Sequence, residues 1–181
     1  MKALIFYDTV TGNTEKIAKT MYSILKENGI ETDCFKADTE IDIDFFAYDL
    51  VFAGSSVISW LPTEQLMKRI KENLKEYSKN GKVIPSAPVL PGKFAVCFCT
   101  FAGPHTGEGE ARPMTMWLRC FFEHLGYTVL EEMRYAGEFH NREEMNTKGR
   151  MGLLSGRPDN HDLDEVRGRV QGILNSLAAY R

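Results

Sequence analysis

The chain has 181 residues, of which 43% are hydrophobic and 26% are charged, and its formal net charge is −3. This length fits one domain covering residues 1–181, and the nearly balanced charge, without a basic stripe, argues against nucleic acid as a partner. No apolar run approaches the roughly 20 residues of a membrane span, and the apolar start runs into a loop motif rather than a signal-peptide cleavage site. The sequence therefore predicts a cytoplasmic protein that does not bind a membrane.

The first third of the chain alternates apolar runs with a helical pattern. Lys2–Tyr7 predicts a first strand, and Asn13–Asn28 predicts a helix because its apolar residues recur at helical spacing. Glu31–Lys36 indicates a weaker second strand, and Thr39–Phe46 is an acidic connector. Asp49–Gly54 is apolar after its first residue, as expected for a third strand that is buried on both faces.

The alternation continues through the middle of the chain. A second helix is predicted from Pro62, and Ser78–Gly92 is a surface connector rich in proline, glycine and lysine. Lys93–Thr100 predicts a fourth buried strand, Glu110–Leu125 a third helix and Tyr127–Tyr135 a fifth strand.

The C-terminal part is harder to interpret. Ala136–Asn160 is polar and contains several glycines, and no element is assigned to it. The last helix is predicted to begin near Asp162, which with Glu165 resembles a capping box. Five strands that alternate with helices imply a parallel sheet covered on both faces, and right-handed crossovers favour a doubly wound α/β fold.

The turn between the first strand and the first helix carries the most informative motif. Its hydroxyl and amide side chains are hydrogen-bond donors, its glycine permits close backbone approach, and the helix N-terminus offers free N–H groups. These features predict a phosphate-binding loop. The loop has no Lys or Arg, so it lacks the Walker pattern G-x-x-x-x-G-K-S/T, and the dinucleotide pattern G-x-G-x-x-G is also absent. The candidate residues are Thr9, Val10, Thr11, Gly12, Asn13 and Thr14.

This loop, Thr-Val-Thr-Gly-Asn-Thr, resembles the phosphate-binding loop of the flavodoxin family, Ser/Thr-x-Thr-Gly-Asn-Thr. The resemblance extends over most of the chain. It implies a flavodoxin-like doubly wound sheet of five parallel strands in the order 2-1-3-4-5, with helices on both faces. It also implies a noncovalently bound flavin mononucleotide (FMN) at the carboxyl ends of the strands.

Two further loops are expected to complete the FMN site. After the third strand, Ser55 and Ser56 precede Trp60, and the resemblance implies that Trp60 shields the flavin ring. The bent loop after the fourth strand is expected to contact the pyrimidine edge of the flavin through its N–H groups. This loop lacks the Tyr of many small flavodoxins, and Phe101 or His105 is the candidate substitute. The candidates in this loop are Thr100, Phe101, Ala102, Gly103, His105 and Gly107.

His105 is also the candidate catalytic residue, because a histidine can hydrogen-bond the flavin or donate a proton to a reduced substrate. The four cysteines form no C-x-x-C pair and are expected to be reduced thiols, so no metal or iron–sulfur site is predicted.

The function of the bound FMN is left open between two classes. The first is an electron carrier that serves redox partner proteins, with the acidic stretch Asp38–Asp44 as a candidate docking patch. The second is an FMN-dependent oxidoreductase that uses NAD(P)H and a quinone or similar small acceptor. The weak net charge, His105 and the long segment Ala136–Asn160 favour the second, and that segment is a candidate flavin cover or subunit interface. The intact phosphate-binding loop argues against a third class, an interaction module that has lost FMN. Of the two redox classes, the electron carrier is slightly favoured over the oxidoreductase.

Overall fold

The computed structural model of the protein describes residues 1–102 and 106–179. Its centre is a parallel five-stranded sheet in the order β2-β1-β3-β4-β5. The strands are β1 (Lys2–Tyr7), β2 (Glu31–Lys36), β3 (Leu50–Ser56), β4 (Phe94–Phe101) and β5 (Thr128–Ala136). The predicted fold class and strand order are therefore confirmed.

Helices pack on both faces of this sheet. They are α1 (Asn13–Glu27), α2 (Glu64–Lys79), α3 (Arg112–His124), α4 (Glu143–Thr147) and α5 (Asn160–Ala179), with short 3-10 turns at Phe45–Ala47 and Gly107–Glu110. In the two described stretches, no helix combines the length and the apolar character that crossing a membrane requires.

The two faces of the sheet carry separate hydrophobic cores because successive side chains of a strand point to opposite sides. Leu4 and Phe6 of β1 pack in the core under α2 and α3. Ala3, Ile5 and Tyr7 of the same strand pack in the core under α1 and α5. This arrangement leaves the carboxyl edge of the sheet, where the strands run into their loops, free to form a site.

Three helix starts differ from their predicted positions. Helix α3 begins at Arg112 rather than at Glu110, which instead ends the 3-10 turn Gly107–Glu110. Helix α2 begins at Glu64 rather than at Pro62, because the Thr63 hydroxyl caps it by accepting from the N–H of Leu66. Helix α5 begins at Asn160, and its capping box joins Asp159 to Asp162. The N–H of Asp162 donates to Asp159 Oδ1 at 3.1 Å, and the N–H of Asp159 donates to Asp162 Oδ2 at 2.9 Å.

The predicted capping box at Asp162 and Glu165 was therefore wrong, because the observed one lies three residues earlier in the chain. Aspartates stand at both 159 and 162, and either can cap a helix. The carboxylate of Asp162 also pairs with the guanidinium of Arg157.

A buried tyrosine ties the 3-10 turn Phe45–Ala47, which precedes β3, to the start of β5. The hydroxyl of Tyr127 donates to the carbonyl of Phe45 at 2.6 Å and lies 3.3 Å from the carbonyl of Tyr48. We expect Tyr127→Phe to lower the free energy of unfolding by about 1 kcal/mol, because one buried hydrogen bond is lost while the aromatic packing is kept. Urea unfolding followed by circular dichroism measures this. Tyr22→Phe, on a half-buried helical tyrosine, is the control, and equal stability of the Tyr127 variant and the wild type would contradict the expectation.

Candidate functional site

A cleft of about 310 Å³ opens at the carboxyl edge of the sheet, within the usual size range of small-molecule pockets. Loops that follow β1, β3, β4 and β5 form its walls. The residues that line it are Val10, Thr11, Asn13, Ser56, Val57, Ile58, Thr100, Phe101, Ala102, Gly137, Glu138, Phe139, His140 and Asn141. Seven of the predicted cofactor residues thus meet in one cleft. They are Val10, Thr11, Asn13, Ser56, Thr100, Phe101 and Ala102.

The loop after β1 is shaped by a glycine in the left-handed conformation. Gly12 has φ 90°, and its N–H donates to Thr9 Oγ1 at 3.0 Å, which folds the loop back on itself. A Cβ added at Gly12 would meet nothing within 4 Å, so the space beside it is open. Because Gly12 is the N-cap residue, no side chain caps the first turn of α1. The first N–H groups of that helix and its positive dipole end are therefore available to an anion.

Three buried hydroxyls fasten this loop to the two neighbouring strands. Thr14 Oγ1 lies 3.1 Å from Ser56 Oγ and 2.8 Å from Thr100 Oγ1. Ser56 Oγ also accepts from the N–H of Val10 at 3.2 Å. Thr14 is fully buried and does not line the cleft. The structure therefore places its hydroxyl in a tie that holds the loops after β1, β3 and β4 in register.

A second set of buried hydrogen bonds lies behind the cleft and joins the end of β1 and β3 to the start of α2. The Thr63 hydroxyl donates to Asp8 Oδ2 at 2.6 Å, and the N–H of Thr63 donates to Ser55 Oγ at 3.0 Å. Asp8, Ser55 and Thr63 are all buried. Ser55 therefore lies behind the cleft, where it anchors the start of α2, rather than in the wall.

The loop after β3 forms a two-residue hairpin that carries Trp60. Ile58 and Leu61 exchange backbone hydrogen bonds of 2.9 and 3.0 Å. Ser59 and Trp60 at its tip both have positive φ, 47° and 68°, which is uncommon for residues with side chains. The Trp60 side chain is 60% exposed and is not among the cleft-lining residues. Val57 and Ile58 line the cleft instead, and the flavin-shielding role of Trp60 stays a prediction.

The loop after β4 is described only in part. Thr100, Phe101 and Ala102 line the cleft, and Gly107 is buried, with Met151 Sδ 3.0 Å from a Cβ added there. The predictions for Gly103 and for His105 as catalytic residue fall outside the described residues.

The stretch 137–159, termed the β5–α5 segment, lies within the segment expected to cover the flavin or form a subunit interface. It contributes cleft residues, Gly137–Asn141, that were not among the predicted cofactor-binding residues. Asn13 Nδ2 donates to the carbonyl of Glu138 at 2.9 Å, so this segment contacts the loop after β1. A Cβ added at Gly137 would lie 2.7 Å from Asn13 Nδ2, so a larger residue there would have to displace the Asn13 amide from its contact with Glu138. One signal was available beforehand, since the residues after a strand next to β4 must emerge at the same edge of the sheet.

Burial raises the pKa of one tyrosine and two thiols in the strands that lead to the cleft. Burial raises the pKa of Tyr7, at the end of β1, to about 12, and the nearby Glu15 carboxylate acts in the same direction. Burial also raises the pKa of the Cys97 and Cys99 thiols in β4. These thiols stay protonated near neutral pH and are poor nucleophiles. Glu138 is the one acidic residue in the described lining, and its Oε2 accepts from the N–H of Gly156 at 2.7 Å.

Comparison with known proteins finds sequence matches to flavodoxin-like domains. Residues 4–84 match the family model of the flavodoxin domain. Over 76 residues the chain is 37% identical to the flavodoxin-like domain-containing protein BilS of Clostridioides difficile, a match that spans 41% of this chain and 41% of that relative.

Solved structures share the fold at low sequence identity. Oxidised flavodoxin 1 of Bacillus cereus has a TM-score of 0.69 at 13% identity, with 97% of this chain and 98% of that chain covered. A flavodoxin from the domain Archaea has a TM-score of 0.63 at 16% identity, with 98% and 99% covered. Rubredoxin oxygen:oxidoreductase of Desulfovibrio gigas has a TM-score of 0.62 at 14% identity, with 98% of this chain and 36% of that chain covered. These comparisons and the strand order confirm the resemblance to the flavodoxin family.

Proposed function

We propose that this flavodoxin-like chain binds FMN noncovalently in the cleft at the carboxyl edge of its sheet and transfers electrons to redox partner proteins. The uncapped N-terminus of α1, which lies beside the open space at Gly12 and the polar side chains of Thr11 and Asn13, carries the proposal. A helix end of this kind binds a phosphate through N–H groups and the helix dipole, without a cationic side chain.

The rest of the cleft suits a flat, largely apolar ring. Its lining includes the apolar residues Val57, Ile58, Phe101 and Phe139, together with the hydroxyl-bearing residues Ser56 and Thr100. A site of apolar walls with few polar groups is typical of cofactor pockets. FMN, when bound, supplies one- and two-electron redox chemistry, and the chain's own residues bind it, orient it and restrict access by water.

The acidic stretch Asp38–Asp44, expected as a docking patch, is partly neutralised. Asp38 pairs with Lys36 at 2.7 Å, and Asp44 pairs with Lys82 at 2.8 Å. Partner recognition is therefore assigned to the rim of the cleft. Exposed apolar residues lie there, namely Val10, Ile58, Trp60 and Leu61.

One observation favours a second function, an FMN-dependent NAD(P)H oxidoreductase acting on a quinone or similar small acceptor. The wall after β5 places the exposed side chain of His140 at the cleft, next to Glu138 and Phe139. Histidine is a common general acid in catalysis, and at this position it would lie beside a small substrate in the cleft.

Anaerobic mixing of the FMN-loaded protein with NADH or NADPH separates the two functions. As a carrier, the protein is expected to keep its yellow absorbance when it is mixed with NADH or NADPH alone. The absorbance is then expected to bleach once a ferredoxin–NADP⁺ reductase is added in the presence of NADPH. Rapid bleaching by NADH or NADPH without the reductase would overturn the carrier proposal and support the oxidoreductase.

A further inference from the structure

The wall of the cleft formed by residues 137–141 belongs to none of the three loops expected to hold FMN. It follows β5, which is an edge strand next to β4. Phe139 in this wall is half-buried, and it lines the same cleft as Val57 and Ile58. The described lining of the cleft therefore has an aromatic residue on this wall as well as Phe101 of β4.

Three hydrogen bonds made by the backbone of Gly137 and Glu138 hold this wall in place. The N–H of Gly137 donates to the carbonyl of Phe101 at 2.8 Å, and the N–H of Glu138 donates to the carbonyl of Arg157 at 2.8 Å. The carbonyl of Glu138 accepts from Asn13 Nδ2 at 2.9 Å. The wall is thus joined to β4, to the entry of α5 and to the phosphate-binding loop, and it is positioned before any ligand arrives.

A single buried side chain fixes the backbone of Phe139. Asn146 Oδ1 accepts from the N–H of Phe139 at 2.7 Å, and Asn146 Nδ2 donates to the carbonyl of Phe139 at 2.9 Å. Asn146 is 1% exposed, and its own carbonyl accepts from the N–H of Leu154 at 2.8 Å. An amide side chain that pairs with both backbone groups of one residue fixes the position of that residue.

We propose that the β5–α5 segment supplies a fourth cofactor-binding loop, in which Phe139 contacts the ring system of the flavin and Asn146 is the positioning residue. The inference rests on the proposed binding of FMN and adds a contact to the ring. It predicts that the segment recognises the isoalloxazine, which FMN shares with riboflavin, and not the phosphate. An aromatic contact with a flat π-system is favourable and tolerates small changes in geometry.

The test measures the dissociation constants of FMN and riboflavin by quenching of flavin fluorescence. Phe139→Ala is expected to weaken both ligands by the same factor, roughly tenfold, while Phe139→Tyr keeps the affinity close to the wild type. Asn146→Ala is expected to weaken both ligands as well. If Asn146 acts through Phe139, adding Asn146→Ala to Phe139→Ala produces no further loss, which a purely structural role would not predict.

Matched controls are available away from the cleft. Phe35→Ala removes a half-buried aromatic ring on the edge strand β2, and Asn28→Ala removes an asparagine at the end of α1 that donates to the carbonyl of Ile24. Both are expected to leave flavin affinity unchanged. Urea unfolding of each variant without flavin shows that it is folded.

The outcomes separate this inference from the function it rests on. Wild-type affinity for FMN and riboflavin in Phe139→Ala would overturn the fourth loop and leave FMN binding intact. Loss of FMN affinity alone, with riboflavin unaffected, would also overturn it, because the contact would then concern the phosphate. A wild-type protein that binds neither flavin would overturn both proposals.

Discussion

Replacing Thr11 by glutamate is expected to weaken the binding of FMN by about 100-fold, since a carboxylate then faces the phosphate dianion at the N-terminus of α1. Thr11 is exposed and lines the cleft, so the longer side chain has room and the fold is kept. The loop contains no Lys or Arg to compensate the new charge. The expected loss corresponds to about 2.7 kcal/mol of binding free energy.

Two comparisons isolate the charge as the cause. Thr11→Gln has nearly the same size without the charge and is expected to lose less than about tenfold, the value of one ordinary hydrogen bond. Riboflavin lacks the phosphate, so its affinity is expected to be nearly equal in the wild type and in Thr11→Glu. A glutamate variant that binds FMN as tightly as the glutamine variant would contradict the assignment of this loop to phosphate.

Gly54→Ala is expected to lower the free energy of unfolding by about 2–3 kcal/mol, because it overpacks the centre of the sheet. Gly54 lies on β3, between Tyr7 of β1 and Phe98 of β4 in the strand register. A Cβ added at Gly54 would lie 2.5 Å from three ring carbons of Phe98, which is fully buried. Because Phe98 is buried in the core between β3, β4 and the helices on that face, the ring or the strands must shift to accept the added methyl group.

Urea unfolding measures this loss, and a second variant tests its cause. Shortening Phe98 to Leu in the Gly54→Ala background is expected to cost less than the sum of the two single changes, since the clash is relieved. Gly168→Ala is the matched control, because Gly168 is exposed within α5 and an added Cβ there meets nothing within 4 Å. This control is expected to stabilise the protein by up to about 1 kcal/mol through helix propensity. Strict additivity at positions 54 and 98 would contradict the proposed clash.

Much of the scaffold was predictable because it rests on local patterns. The buried strands are continuous apolar runs, and α1 has a clear helical spacing in Ile17, Met21 and Ile24. The loop Thr9–Thr14 was recognisable because strand, glycine, polar side chains and helix follow one another within a few residues. The strand order needed the family resemblance, since alternation alone leaves the order of a parallel sheet open.

The β5–α5 segment was not predictable in this way. Its contacts are long-range and specific, such as Asn13 with Glu138, and they leave no periodic pattern in the sequence. Asn146 is a polar residue in a polar stretch, where sequence suggests exposure, but it is buried because it satisfies the backbone of Phe139. The position of Trp60 outside the cleft lining depends on the two positive φ values of the hairpin tip, which neither Ser59 nor Trp60 favours intrinsically.

The most direct test of the central claim is a fluorescence titration of the flavin-free protein with FMN and, in parallel, with riboflavin. We expect saturable quenching with one FMN per chain, a dissociation constant of about 1 μM or lower, and binding of riboflavin at least about tenfold weaker. Absence of saturable FMN binding, or equal affinity for the two flavins, would contradict a phosphate-binding loop at Thr9–Thr14 and with it the proposed function.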